Sequence, residues 1–517
     1  MSLESTAEIA IKQNLEQFLL VLSVSLTVAT ASRILSWFRQ IPYTLLLVIV
    51  GLGLAFVDIR LVTLSPELIL EIFLPPLLFE AAWNIRWREL KKNWLPVTLF
   101  AIVGVVISVV GIALTLNHLA GLSLPIALLV GASLSATDPV SVVALFRELG
   151  ASKRLTVLME GESLFNDGVA VVAFLLLVGI PLGVETFSLP TTIARFLTFV
   201  GIGVGIGALI GFGISYLTQR FDLPLVEQSL TLVSAYGTYL ITEELGGSGV
   251  IGVVTVGIIL GNFGSRIGMN PRTRLLVSEF WEFIAFFVNS IVFLLIGDQI
   301  QFSSLGSHLQ LIGIAIAAVV VTRLVSIFLL SGVSNQITPE NINFKEQTVL
   351  WWGGLRGSVS IALALSVPIV LEGRQEIIDT VFGVVLFTLL IQGLSTKFVL
   401  KQLDLIGDQP LRQEYMELFA RRIALRRVDD YLSKLDDSPE IQTEFYRYEK
   451  DLVTGQLDSI ETQITTLQKE YPDLRTLDME TLREKLLDIE ADTYAEFIRA
   501  GRLNKNLSPV LLEIFTE

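Results

Sequence analysis

Glu162, Ser163, Asn166 and Asp167 stand together in GESLFNDGVAVVAF, at the head of a segment that runs on as apolar residues through Leu177. On a helix, Ser163 and Asp167 lie one turn apart on one face, and Glu162 and Asn166 form the adjacent stripe. A hydroxyl oxygen stacked over a carboxylate suits a small hard cation, which prefers oxygen ligands. Burial disfavours the ionised form of a carboxyl, so the same position also suits a proton, and Asp167 can trade one for the other. A charge near the middle of a bilayer costs about 2.5 to 3.5 kcal/mol on insertion scales, which makes such residues functional by default.

Two further stretches carry polar residues inside apolar runs. GASLSATDPVSVVALF places Thr137, Asp138 and Pro139 at its middle. Proline removes a backbone donor and clashes with the carbonyl of residue i−4, so this segment is predicted to be interrupted, with free carbonyls and half-helix ends available to ions. WWGGLRGSVSIALAL, with Gly353, Gly354, Arg356 and Gly357 near its start, predicts a second break. Asp138 and Arg356 put one charge of each sign beside the breaks, where they can neutralise half-helix dipoles. Arg323, in another apolar run, needs a partner that the sequence does not name.

The elements that hold these residues belong to an all-α polytopic membrane protein. Hydrophobic residues make up 52% of the 517 positions, charged residues 17%, and the mean hydropathy is +0.65, too apolar for a soluble chain. There is no cysteine, which excludes disulfides, thiolate metal sites and thiol nucleophiles. The polar, net acidic start MSLESTAEIAIKQNLEQ is unlike a cleaved signal peptide. Thirteen apolar segments of spanning length begin near Leu15, Tyr43, Leu61, Trp94, Leu124, Leu155, Thr191, Leu223, Gly249, Val277, Leu309, Thr348 and Ile377.

Basic residues fall in alternate connections: Arg39; Arg86, Arg88, Lys91 and Lys92; Arg147, Lys153 and Arg154; Arg220; Arg266, Arg272 and Arg274; and Lys345. The intervening loops hold little beyond Arg60 and Arg374. The positive-inside rule then places the amino terminus outside and the carboxyl terminus in the cytoplasm. The two predicted breaks fall in the fifth and twelfth segments, seven steps apart, so they run in opposite directions. Paired interrupted helices at corresponding positions mark the transport site of an inverted-repeat transporter.

Composition changes near Lys401. Residues 1–400 form the transmembrane part, and residues 401–517 carry 16 Lys plus Arg against 25 Asp plus Glu, the signature of a water-soluble domain. In RQEYMELFARRIALRRVDDYLSKL the apolar positions Tyr415, Phe419, Ile423, Val428, Leu432 and Leu435 predict one face of an amphipathic helix. A helical cytoplasmic tail that packs on itself or on its copy is expected, with a regulatory role as the alternative.

FLPPLLFEAAWN, SATDPVSV, GESLFNDG, FWEFIAFFVNSIVFLLIG and WWGGLRGSVS, in this order over about residues 10–400, resemble the NhaP/NHE-type sodium/proton antiporters of the monovalent cation/proton antiporter superfamily. The resemblance implies that Asn166 and Asp167 mark the ion site, with further oxygens from Ser163, Thr137 and Glu80. It implies a homodimer of 13-span protomers, with dimerisation helices 1–3 and 8–10 and a core of helices 4–6 and 11–13 in which two broken helices cross. It also implies that Glu162 pairs with Arg356. Where the family often has an acid in the tenth span, this chain has Asn289.

The expected function is exchange of Na+, or Li+, for protons by alternating access, with both ions competing at Asp167. Asn166 stands where a second acid would, and the interior of the core spans offers no lysine, so one cation per proton and electroneutral exchange are expected. No cofactor is implied, and no enzyme activity. Exchange of K+ on the same fold is the close rival, and a cation channel the rival of another class. A channel would spread weak sites along a pore, whereas these acids sit at one depth. An intramembrane aspartyl protease is disfavoured because Gly297-Asp298 lacks the preceding glycine of the usual motif. His118 and His308, the two histidines, fall in predicted outer loops, and Trp351 and Trp352 in an interfacial aromatic belt rather than a cation cage.

Overall fold

The helix ends follow from local chemistry. Ser152 accepts from the amide of Leu155 and Asn270 from that of Thr273, each capping the helix that follows. Asn343 and Glu346 form a reciprocal capping box. Gly121 and Gly150 end their helices in the left-handed conformation, at φ 71° and 66°. The computed structural model describes residues 3–34, 41–57, 61, 64–185, 187–220, 223–265, 268–405, 409–435 and 443–471, with isolated positions between 483 and 497. Arg39, Arg60 and Arg266, used above for topology, lie outside the described residues.

All regular structure among the described residues is helical. In chain order the principal helices are α1 (Leu3–Ile34), α2 (Tyr43–Phe56), α3 (Leu74–Asn84), α4 (Trp94–Ala120), α5 (Leu124–Ser135), α6 (Val140–Leu149), α7 (Lys153–Leu177), α8 (Leu189–Thr218), α9 (Pro224–Glu244), α10 (Gly249–Ile259), α11 (Pro271–Asp298), α12 (Leu309–Ile337), α13 (Phe344–Trp352), α14 (Ser358–Leu365), α15 (Arg374–Gln402), α16 (Gln409–Leu435) and α17 (Thr443–Glu470). Among the described residues six stretches are, by length and composition, able to cross a membrane: Trp94–Ala120, Leu124–Phe146, Leu189–Thr218, Arg272–Asp298, Leu309–Ile337 and Arg374–Gln402.

The third apolar segment starts later than its hydropathy suggests. The Ser65 hydroxyl accepts from the amide of Leu68, and the helical turns that lead into α3 begin there. Leu61 instead donates its amide to the buried carboxylate of Asp298, at the end of α11.

The chain divides into two compact units, residues 1–405 and 406–517. Within the first, α11 packs on α2 and α3, and α10 on α3, α8 and α9. Gly51 and Gly297 bring α2 and α11 so close that a Cβ on either would strike the other's backbone. A second group gathers α4, α5, α12, α14 and α15, and α7 threads between the groups, touching α5, α10 and α14.

The second unit holds a helical hairpin. Tyr415 and Leu418 of α16 pack with Ile460 and Ile464 of α17, flanked by Leu425 and Leu467. Gln468 donates to the Tyr415 hydroxyl at 2.7 Å, and Arg426 pairs with Glu461 at 2.7 Å. The buried seam of α16 therefore differs from the predicted face: Ile423 and Val428 are exposed, and the contacts follow the three-and-four spacing of a coiled coil.

Candidate ion site

Two interruptions meet at one point. The helix of the TDP segment stops at Ser135 and resumes at Val140, and that of the GGLRG segment stops at Trp352 and resumes at Ser358. The amide of Asp138 donates to the carbonyl of Leu355 at 2.9 Å, so one break hydrogen-bonds the other directly. Arg356 Nη1 donates to the freed carbonyls of Ser135 and Ala136, each at 3.1 Å, and its own amide donates to Thr388 Oγ1. Asp138 Oδ1 accepts the amide of Val140 at 2.9 Å, capping α6. Its carboxylate lies against Gly357 in space that any Cβ there would occupy. The two charges thus serve the exposed half-helix ends, as backbone groups in such a setting require.

Helix α7 lays its polar face against this crossing. Ser163 Oγ and Thr137 Oγ1 are 3.0 Å apart, and Asn166 Nδ2 donates to Thr137 Oγ1 at 3.2 Å. Asp167 is 9% exposed, and its Oδ1 has no hydrogen-bond partner among the described residues; the same holds for Asn166 Oδ1. A cavity of about 220 Å³ opens beside them, lined by Thr137, Asp138, Ser163 and Asp167, by Glu80 of α3 and by Asn289 of α11. Glu80 also accepts from Asn84 Nδ2 at 2.6 Å, one turn along its helix. Asn166 is absent from the cavity wall and acts on it through Thr137.

The expected pairing of Glu162 with Arg356 is not what forms. Glu162 makes a two-pronged ion pair with Arg323 of α12, Nη1 to Oε1 at 2.7 Å and Nη2 to Oε2 at 3.1 Å. Arg323 further donates from Nε and Nη2 to the carbonyl of Leu350, at 3.2 and 2.8 Å, on the last turn of α13. Gly354 leaves the room that the guanidinium occupies. The reason is geometric: Glu162 points from the stripe of α7 that faces α12, while Arg356 is spent on the carbonyls of the first break. The unmatched Arg323 of the sequence is thereby matched.

Glu160, Glu282 and Ser358 are among the cavity residues that escaped the sequence reading. Glu160 precedes Asp167 by seven residues and Glu282 precedes Asn289 by seven, so each lies two turns along the same face as a residue already singled out. That spacing was a usable signal. Ser358 was not recoverable in this way, because it reaches the cavity only through the contact between breaks.

Of the two histidines, His118 lies within a helix and His308 in the turn before one. His118 sits in the last turn of α4, its Nδ1 on the carbonyl of Leu114. His308 stands at the start of α12 with Nδ1 2.9 Å from the buried carboxylate of Asp379. Trp351 and Trp352 donate their indole N–H groups to the carbonyl of Val320 and to Ser395 Oγ, both at 2.9 Å, so they fasten α13 to α12 and α15.

Chemically, the wall brings the buried Asp167 carboxylate, one oxygen of it without a partner among the described residues, beside the hydroxyls of Ser163 and Thr137, with Glu80, Asp138, Glu160 and Glu282 also lining the cavity. Among the described residues no three His, Asp or Glu side chains cluster as a metal-holding group. A single buried carboxylate oxygen without a partner, beside two neutral hydroxyls, can accept a proton or a small hard cation.

Comparison with known proteins supplies the family. The family described as "Sodium/hydrogen exchanger, transmembrane" matches residues 21–402. The chain is 70% identical over its whole length, and the whole of the relative's, to "Na(+)/H(+) antiporter ApNhaP" of Aphanothece halophytica. It is 66% identical to "Low-affinity Na(+)/H(+) antiporter NhaS1" of Synechocystis, covering 98% of this chain and 97% of that one. The solved structure of the antiporter MjNhaP1 from Methanocaldococcus jannaschii at pH 8 superposes with a TM-score of 0.60 at 21% identity, over 76% of this chain and 99% of that one, a likeness of fold. With a match spanning both helix breaks and all of α7, the chain belongs to the transmembrane sodium/hydrogen exchanger family.

Proposed function

We propose that this protein is a secondary active transporter that exchanges Na+ for protons across a membrane, without a cofactor, by letting the two ions compete for Asp167. The observation that carries the assignment to this residue is its buried Oδ1, left without a partner at the wall of a polar cavity. An unsatisfied buried acceptor costs about 1 to 3 kcal/mol, and a bound cation or proton offsets that cost. Ser163 and Thr137 supply further oxygens, Asn166 orients Thr137, and Glu80 stands where an arriving ion meets the cavity. Relatives named for Na+/H+ antiport at 70% and 66% identity support sodium as the cation.

The unit is a 13-span protomer in which the TDP and GGLRG segments are the broken helices of inverted repeats. It pairs as a homodimer in the cell membrane, with the amino terminus outside and the tail of residues 401–517 in the cytoplasm. Exchange is one cation for one proton, because Asp167 is the wall acid with a buried oxygen left without a partner among the described residues, its neighbour on α7 is Asn166 rather than a second acid, and the described lining includes no lysine.

The test uses purified protein in proteoliposomes loaded with a pH-sensitive dye. Dequenching on addition of Na+ or Li+, with little response to K+ and no membrane potential generated, is the expected result. A potential of either sign overturns the one-to-one ratio, a dominant K+ response overturns the cation, and Na+ flux without proton counter-flow makes the protein a channel.

A further inference from the structure

The ion site leaves unexplained a groove on the opposite side of α7. The short helix Trp87–Lys92 and the first turns of α4 enclose a hollow of about 430 Å³, lined by Trp87, Leu90, Lys91, Trp94, Val97, Thr98 and, from α7, Phe165. Leu90 and Val97 are buried and form its floor where α7 comes close at Gly161. Trp87 and Trp94 stand up as walls, more than half exposed at 53% and 59%. Among the described residues Lys91, at one end, makes no ion pair or hydrogen bond, and neither do Arg88 and Lys92 beside it.

We propose that this groove is a binding site for an anionic phospholipid, with the acyl chain between the two tryptophans against Phe165 and the phosphate at Lys91. The charge argues for it: in a chain of net charge −14, the WRELKK helix carries Arg88, Lys91 and Lys92 against Glu89 alone. The shape argues for it too. A free phosphate needs no apolar trough, and an uncharged lipid needs no unpaired cation at the trough's end. The place agrees, because tryptophans gather at the level of the headgroups. Basic side chains next to a spanning helix are drawn to the anionic cytoplasmic leaflet, the side to which the proposed topology assigns this connection. Because Phe165 lies on the helix that carries Ser163 and Asp167, a lipid seated here rests on the back of the ion site and holds the start of α4 against it.

The experiment takes the full chain in neutral detergent and follows thermal unfolding, with lipid binding read by native mass spectrometry. The probes are phosphatidylglycerol, phosphatidylcholine with the same chains, and glycerol phosphate. Phosphatidylglycerol is expected to bind and to raise the unfolding temperature by more than phosphatidylcholine, and glycerol phosphate to do neither. Lys91→Gln is expected to weaken phosphatidylglycerol binding about five-fold, the share of one basic side chain near an anionic surface, and to leave the phosphatidylcholine response unchanged. Trp94→Ala is expected to weaken binding of both lipids, and Lys401→Gln, an exposed cation elsewhere, to change nothing. Equal responses to the two lipids, a response to glycerol phosphate alone, or undiminished phosphatidylglycerol binding in both Lys91→Gln and Trp94→Ala each overturn the proposal. These outcomes are independent of which cation is exchanged.

Discussion

Helix α7 buries two acids five residues apart and treats them in opposite ways. Glu162 is sealed, with both oxygens on the Arg323 guanidinium. Asp167, as deep in the protein, keeps an oxygen with no protein partner and faces a cavity. A buried ion pair with its hydrogen bonds complete has nothing left to offer a ligand, and it holds α7, α12 and α13 in one arrangement. A buried carboxylate held short of satisfaction is ready for an ion that comes and goes. On the proposed reading the contrast separates scaffold from transport on one helix, and it can be broken from either side.

The largest effect is expected at Asp167. Asp167→Asn should abolish cation-driven dequenching in proteoliposomes while the unfolding temperature stays at or above that of the parent, since a charge that needed a partner is gone. Retained exchange would remove Asp167 from the mechanism. Glu162→Gln should do the reverse. Leaving Arg323 buried without its counter-charge is expected to cost about 3 to 5 kcal/mol of stability, seen as a lower unfolding temperature in detergent. Replacing both partners, Glu162→Leu with Arg323→Met, should recover most of it, because a buried pair exchanged for apolar groups of similar volume is often close to neutral. A single variant as stable as the parent would show that the pair is not the clamp its geometry makes it.

Arg356 supplies the intermediate case. Its guanidinium bonds carbonyls of the first break and does not pair with Glu162. Arg356→Ala therefore strands the carbonyl of Ser135 and leaves that of Ala136 only the long contact from Ser360 Oγ, at about 1 to 3 kcal/mol for a buried group left unsatisfied. Thermal unfolding of Arg356→Ala and Arg323→Ala, compared in the same detergent, should place Arg323→Ala lower. The opposite order would restore Arg356 as the principal partner of the core.

Much of this was legible because membrane helices leave strong traces. Long apolar runs, Pro139 in mid-segment and the glycines around Arg356 located both breaks, and the one-turn spacing of Ser163 and Asp167 put them on one face. The partner of Glu162 was not legible, because pairing depends on which way neighbouring helices are turned, and neither apolar run nor charge count records rotation. The same limit applies to the tail. The apolar positions of α16 allow more than one face, and only α17, with Ile460 and Ile464, selects the seam through Tyr415 and Leu418. Asp379 was missed for a further reason. An acid near a helix start looks like a solvated end residue, whereas here it is buried and bonded by Ser304, His308 and Gln375.

The smallest expected effect sharpens the contrast most, because it separates the two ions within the transport site itself. Ser163 touches Thr137 and lines the cavity beside Asp167, yet it carries no charge. If a proton and a cation compete for Asp167, the proton needs only the carboxylate, while the cation also needs neutral oxygens around it. Ser163→Ala removes one of these oxygens and leaves the acid. The apparent KM for Na+ should rise by up to about ten-fold, the worth of one hydrogen-bond-strength contact of roughly 0.5 to 1.5 kcal/mol, with the pH dependence measured at saturating Na+ unmoved. A shifted pH profile with unchanged KM would mean that Ser163 tunes the acid rather than holding the cation. The sodium shell would then have to be built from Thr137 and the carbonyls of the breaks.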